Sequence, residues 1–423
     1  ASHAGAQLAA SLRQDGWSGE IVLIGEEPTV PYQRPPLSKA YLAGKTTLDE
    51  ITIRSSDFYS KQRIQLLNAH VEAIDRSAGH IVMSTGDTLT YDKLALCTGA
   101  RPRRLTVPGA DLHGVYYLRT AADVERIRMA TGPGRRVVIV GGGYIGLETA
   151  ASLRALGVQV TVLEATGRVL ERVTAPEVST FFERIHREQG VDIRTNAMVE
   201  GLSGDREVRE VSLASGESIP ADLVIVGVGV EPNTDLAADA GLVIDNGIVI
   251  DDHTRTNDPD IMAAGDCASH DMARYGRRLR LESVSSAGEQ AKVAASTACG
   301  KSRKIEALPW FWSDQYHFKL QIAGLNTGYD EVVLSGDPTR DSDFSCFYLQ
   351  AGELIAADCI GRPREFMYSK RVIAQRLPVQ REDLMLGGLA RNRPILRSLC
   401  TQQQPVCSEK GTSAMTMTDR PPG

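Results

Sequence analysis

The sequence predicts an α/β protein built around parallel sheet, and three observations carry that expectation. A β-branched run, Val137–Val140, opens onto glycines at G-x-G-x-x-G spacing. The adjoining stretch, Gly146–Arg154 (GLETAASLR), recurs as Gly5–Arg13 (GAQLAASLR). The length, 423 residues, accommodates two or three domains.

In chain order, Gly5–Arg13 reads as a helix, Gln14–Glu20 as a loop and Ile21–Ile24 as a strand leading into Gly25 and Glu26. Superposed on the later copy, Gly5 takes the place of the third glycine and Ser2 that of the second. The first strand of this unit is then expected upstream of Ala1, since without it a central strand's neighbours lose their backbone partners. Lys93–Cys97 reads as a strand running into Thr98-Gly99, a shape suited to a chain crossing between two nucleotide-binding units. At the fingerprint, Gly141 makes the tight turn, Gly143 lets backbone approach a pyrophosphate, and Gly146 packs helix against strand. Phosphates then sit at the N-terminus of a helix over Leu147–Leu156, where free N–H groups attract negative charge. A second strand, Val158–Leu163, ends in Glu164. A carboxylate there accepts hydrogen bonds from a free ribose 2′-hydroxyl and repels a 2′-phosphate, which favours NADH; Arg168 is the nearby cation that counts against this. Two such sites, one of them for NADH, imply FAD in the other. Ile261–Ala264 is a short apolar strand ending in Gly265-Asp266, where Asp266 either reaches a ribityl hydroxyl or caps a helix.

Composition narrows the function. A net charge of −6 and a pI near 5.8 suit no nucleic-acid binder. No apolar run approaches the ~18–20 residues of a membrane span. Seven cysteines (Cys97, Cys267, Cys299, Cys346, Cys359, Cys400 and Cys407) include no C-x-x-C pair and no metal-ligand spacing. They read as inert thiols of a reducing compartment, hence a cytoplasmic protein with no metal site.

These motifs carry a resemblance. Pro31–Leu42 (PYQRPPLSKAYL), Gly141–Glu148 (GGGYIGLE), Ala263–Ala268 (AAGDCA), Leu281–Ala291 (LESVSSAGEQA) and Leu308–Tyr316 (LPWFWSDQY) match the FAD- and NADH-dependent ferredoxin reductases of bacterial oxygenase systems. That family shares its fold with glutathione reductase and apoptosis-inducing factor, and the match runs from Ser2 to about Leu384. The resemblance implies two Rossmann-like dinucleotide-binding domains plus a C-terminal α+β domain. Residues 1–105 with 230–304 would bind FAD, 106–229 NADH, and 305–391 would cover the flavin and dock ferredoxin. It places Glu26 on the FAD adenosine ribose, Arg34 at the pyrophosphate or adenosine end, and Lys39 beside the flavin N5/O4 edge, paired with Glu148. Asp266 would bind the ribityl chain, Glu282 and Val284 would approach the pyrimidine and nicotinamide side, Tyr144 would cover the flavin, and Trp312 would lie near the ring. Val71, Thr98, Gly99, Arg101 and Gly229 are further expected cofactor contacts.

Each assignment has a plain structural rival: Lys39 as a solvated helix residue, Glu148 as a helix N-terminal charge, Tyr144 and Trp312 as packed aromatics. In the first copy Gln7 stands where Glu148 stands in the second, so the fold does not demand that carboxylate. Flavin disulfide reductases carry a cysteine pair in the stretch corresponding to Arg34–Lys39, which here contains no sulfur. Electrons must therefore pass to an external carrier, and a 2Fe-2S ferredoxin suits a flavin that releases them singly. Arg362, Arg364, Lys370, Arg371 and Arg376, against the single acid Glu365, form either a docking patch for an acidic ferredoxin or a solvated helix face. Two other readings compete: a redox-sensing interaction protein of the apoptosis-inducing-factor type, and an NADH oxidase or rubredoxin reductase. The expected oligomeric state is monomer or weak homodimer. Residues 392–423 read as a disordered tail.

Overall fold

The computed structural model describes residues 1–386; the expected tail, with Cys400 and Cys407, lies outside them. The fingerprint strand, Arg136–Val140, lies in the middle of a five-stranded parallel sheet. Its neighbours are Gln159–Leu163 and Leu223–Val226, with Asp192–Arg194 and Val115–Tyr117 at the edges. Residues 137–140 are buried because both faces of this sheet are covered, which is why the run is β-branched throughout rather than alternating. The helices Tyr144–Ala155 and Pro176–Glu188 cover one face. A three-stranded antiparallel meander covers the other, packing Leu202, Val211 and Ile219 against Val138 and Val140. The fingerprint helix begins at Tyr144, earlier than the sequence reading of Leu147. The glycine turn is complete by Gly143, whose carbonyl already accepts the Leu147 N–H.

The first unit is built from two parallel pairs, Ile21–Gly25 with Ile64–Asn68 and Leu94–Leu96 with Ile261–Ala263. The fingerprint strand has a neighbour on each side. Ile21–Gly25 and Leu94–Leu96 have one each among the described residues, and both line the same cleft. The helices His3–Asp15 and Val284–Ala298 pack on each other through alanines, Ala4 meeting Ala287 and Leu8 meeting Ala291 and Ala294. Two crossing segments, Ala100–Pro102 and Val230–Pro232, pair antiparallel where the chain passes to the second unit and back.

The C-terminal region is a five-stranded antiparallel sheet, ordered 310–315, 318–324, 353–360, 344–350, 331–335. The helix Pro363–Gln375 packs Phe366, Val372 and Ile373 on one face. The other face brings Leu320, Phe344 and Tyr348 into the core of the fingerprint unit, where Phe344 meets Phe181 edge-on. This seam places the C-terminal hairpin over the fingerprint helix.

Candidate active site

The three fingerprint glycines answer to three different constraints. Gly141 has φ +112°, and a Cβ there would lie 2.4 Å from the Gly227 carbonyl oxygen. A Cβ on Gly146 would lie 2.1 Å from the Gly141 carbonyl oxygen, so strand-end and helix could not close. Gly143 faces open space at the helix N-terminus, the room an anion needs. Glu164 folds beneath this turn: it accepts the Gly142 N–H at 2.8 Å and the Thr166 N–H and hydroxyl at 2.9 Å each. Arg168 turns away to Ser179 (2.6 Å) and the Glu171 carbonyl (3.0 Å). The carboxylate is left as the charge at the strand end, which suits a free 2′-hydroxyl.

A second cleft, of about 1520 Å³, opens in the first unit. Ser2, Gly5, Glu26, Arg34, Val71, Thr98, Gly99 and Arg101 all line it. Ser2 stands at the N-terminus of His3–Asp15 and makes no side-chain capping bond, while the Arg34 Nε lies 3.4 Å from its hydroxyl. Gly5 packs that helix against the strand, since a Cβ would lie 2.9 Å from Leu23. An uncapped helix N-terminus with an arginine beside it fits a pyrophosphate. Glu26 pairs with His70 at the exposed rim. Thr98 donates to the Asn233 carbonyl at 2.7 Å, and Arg101 pairs with Glu231 and Asp235, so both also fasten the crossing segments together. Gly229, at φ +101°, accepts the Arg103 N–H at 2.9 Å on the far side of that crossing.

The helix-cap reading of Asp266 is corrected. The residues after it form the strand Ala268–Met272, and the next helix begins at Val284. Its carboxylate instead meets Arg119 at 3.1 Å. Gly265 has φ +90°, and a Cβ there would lie 3.1 Å from Ala4 at the start of the first helix. Arg119 was not singled out from the sequence. It lines the cleft, and its carbonyl takes the Arg34 Nη1 at 2.8 Å, tying the Arg34–Glu27 pair to Asp266. Nothing local marks it: it merely precedes the Thr120/Asp123 capping box of the next helix. Glu282 pairs with Arg280 at 2.7 Å, and half-buried Val284 opens the helix after it.

A buried ionic centre joins all three regions. Lys39 ends a turn of two prolines, Pro35–Ser38, and its Nζ lies 2.6 Å from the Glu148 Oε2 and 3.2 Å from the Pro35 carbonyl. Glu148, on the fingerprint helix, is 2% exposed. Ser38 donates to its Oε2 and Ser313, from the hairpin, to its Oε1, each at 2.6 Å. Ser152, one helical turn on from Glu148, holds the lysine turn by donating to the Ser38 carbonyl at 2.7 Å. Lys39 is mostly buried rather than a solvated helix residue, and Glu148, in the second turn of its helix, has an ammonium and two hydroxyls as partners as well as its place near the helix N-terminus. Tyr144 rests on Phe311, ring centroids 4.9 Å apart, with its hydroxyl buried and without a partner among the described residues; burial pushes that hydroxyl well above its ordinary value. Trp312 stacks on Trp310 at 5.5 Å and is half-buried.

The five described cysteines are free, and burial pushes every one upward, Cys97 to about 12. None is poised as a thiolate. Among the described residues no cluster could hold a metal, and no helix is long and apolar enough to cross a membrane.

Fold and site together define an oxidoreductase with two dinucleotide clefts, and comparison with known families agrees. Residues 1–295 match the pyridine nucleotide-disulphide oxidoreductase model and 310–387 the reductase C-terminal model; the chain belongs to this family, whose cofactors are FAD and NAD(H). Within it, the chain is 48% identical over 384 residues to putidaredoxin reductase CamA of Pseudomonas putida, covering 89% of this chain and 91% of that one. Two solved structures are similar. The covalent putidaredoxin reductase–putidaredoxin complex gives a TM-score of 0.87 at 47% identity, covering 91% and 93% of the two chains. The ferredoxin reductase for the CYP199A2 system from Rhodopseudomonas palustris gives 0.88 at 40%, covering 90% and 95%.

Proposed function

We propose that this chain is a reductase that takes electrons from NADH through FAD and delivers them one at a time to a 2Fe-2S ferredoxin serving an oxygenase, in the cytoplasm, as a monomer or weak homodimer. In this reading residues 1–105 and 230–304 hold FAD, 106–229 hold NADH, and 305–391 cover the flavin and receive the ferredoxin. FAD, when bound, accepts a hydride as two electrons and releases electrons singly.

The chain's own residues do the rest. Ser2, Gly5, Arg34 and the first helix N-terminus would take the FAD pyrophosphate, Glu26 its adenosine ribose, and Asp266 the ribityl chain. Gly141, Gly143, Gly146 and Glu164 would take NADH. Lys39, paired with Glu148 in a mostly buried pocket, would set its side chain where negative charge would develop on a bound flavin, and Glu148 makes its burial tolerable. Tyr144 would shield the flavin face until the nicotinamide displaces it. On Pro363–Gln375 the basic residues divide. Arg362 is committed to Asp343 and Glu365, and Lys370 lies over the Trp310 ring at 4.8 Å. Arg364, Met367 and Arg371 remain exposed at helical spacing, and we take that face as the docking surface.

The observation that carries this reading is the Lys39–Glu148 pair at the meeting of three regions, with no cysteine in the Arg34–Lys39 stretch beside it. Stopped-flow absorbance tests it. NADH should bleach the flavin of the holoprotein rapidly, and a 2Fe-2S ferredoxin should restore the colour far faster than dissolved oxygen. Equal rates with ferredoxin and oxygen would defeat the proposal.

A further inference from the structure

Glu148 is the end of a longer buried chain. Ser313, which donates to it, accepts from the Gln315 side-chain amide at 3.3 Å. The Gln315 carbonyl oxygen lies 2.8 Å from the Nε2 of His186, on the helix Pro176–Glu188, and the Nδ1 of that ring lies 3.0 Å from the Tyr316 hydroxyl. Ser313, Gln315 and His186 are all fully buried. One assignment of protons satisfies every contact. Because Gln315 presents its carbonyl to His186, Nε2 carries the hydrogen; Nδ1 is then an acceptor and the tyrosine hydroxyl donates to it. Tyr316 gives to His186, His186 to Gln315, Gln315 to Ser313, and Ser313 to Glu148. Every dipole in the series points at the carboxylate that holds Lys39.

The backbone is arranged to deliver this series. Strand alternation turns Ser313 and Gln315 toward the fingerprint unit and Trp312 and Asp314 away from it. Tyr316 sits at the hairpin tip with φ +56°, a conformation disfavoured for a bulky side chain. The surrounding seam is apolar, built from Phe181, Phe344 and Leu320. A polar series crossing such a seam is stable only if each member is satisfied, as these are. His186 is also held down to about 4 by burial, in keeping with a neutral ring that donates from one nitrogen only.

We propose that Ser313, Gln315, His186 and Tyr316 are positioning residues: they fix the Glu148 carboxylate, and through it the Lys39 ammonium, so that the C-terminal hairpin sets the charge presented to the flavin. The inference rests on the reading of Lys39–Glu148 as the flavin-facing pair. Its test uses the FAD-loaded protein and two readouts, the visible flavin absorption bands and the saturating rate and half-saturation of NADH bleaching. Ser313→Ala and His186→Phe should shift the bands and slow bleaching about tenfold, with half-saturation by NADH unchanged. Ser313→Thr should restore both, and Tyr316→Phe, a half-buried change that keeps the ring, should move both in the same direction by less. Glu148→Gln separates the two ideas. If it alters bands and rate while the Ser313→Ala, His186→Phe and Tyr316→Phe proteins match the parent, the positioning chain is overturned and the pair survives. If Glu148→Gln also changes nothing, the flavin-facing reading falls, and the chain falls with it.

Discussion

Two carboxylates are sealed almost equally deeply in the seam between the fingerprint unit and the C-terminal sheet, Glu148 at 2% exposure and Asp358 at 1%, yet their surroundings are opposite. Glu148 has an ammonium and two hydroxyls, each at 2.6 Å. Asp358 has the Tyr348 hydroxyl at 2.5 Å, which itself takes the Ala175 N–H at 3.0 Å, and among the described residues no cation pairs with it. Burial therefore pushes Asp358 up to about 7. Depth alone pushes a carboxyl toward its protonated form. A cation and aimed donors are what make a charge usable in the same dry seam.

The largest test removes that distinction at Glu148. Glu148→Gln leaves the Lys39 ammonium without its counter-charge, so about 3 kcal/mol of stability should go in urea unfolding. NADH bleaching should slow about 100-fold. The double change Lys39→Met with Glu148→Leu should recover most of the stability and none of the rate. Recovered bleaching in that protein would show the pair to be packing alone.

Asp358 sharpens the contrast through pH. The folded state keeps its proton up to about 7 while the unfolded state releases it near 3.8, so its contribution is complete at low pH and is lost as pH rises through 7. Between pH 5 and 8 the parent should lose about 3 kcal/mol relative to Asp358→Asn, read from urea midpoints. His186, held down to about 4 from 6.5, works the other way: its contribution is present above 6.5 and is lost as pH falls toward 4. A stability difference between parent and Asp358→Asn that is flat with pH would mean Asp358 is charged and partnered after all.

A third buried carboxylate, Glu365, extends the comparison at the surface. It is paired by Arg362 at 3.1 Å, and Arg362 also holds Asp343. Arg362→Met should cost about 2 kcal/mol by leaving Glu365 unpaired. Arg371→Glu, on the exposed face of the same helix, should leave unfolding unchanged and raise the KM for ferredoxin about threefold, with NADH bleaching unaffected. The reverse pattern would move docking to Arg362.

How much of this was legible depends on how local each signal is. The tight turn at Gly141 and the helix–strand packing at Gly146 were readable because each constraint acts within a few residues, and the pairing of Lys39 with Glu148 because both sit in recognisable motifs. The start of the fingerprint helix was misplaced by the same logic, since the third glycine marks packing rather than the first helical residue. For Asp266 the local Gly-Asp pattern at a strand end leaves a ribityl contact and a helix cap both open, and only the strand that follows it removes the cap. Ser313 meets Glu148 across 165 residues and Arg119 meets Asp266 across 147, and neither partner carries a mark of the other. Arg362 was counted as free charge because Asp343 reaches it from 19 residues upstream.

The pairing of Leu94–Leu96 with Ile261–Ala263 has a consequence for the order in which the protein is made. The second half of that pair is translated only after the whole inserted unit, so the outer pair stays open until every strand of the inner sheet has been made. A chain that stops between Val226 and Ile261 would hold every strand of the inner sheet and still lack the partner of Leu94–Leu96, leaving the outer pair unmade.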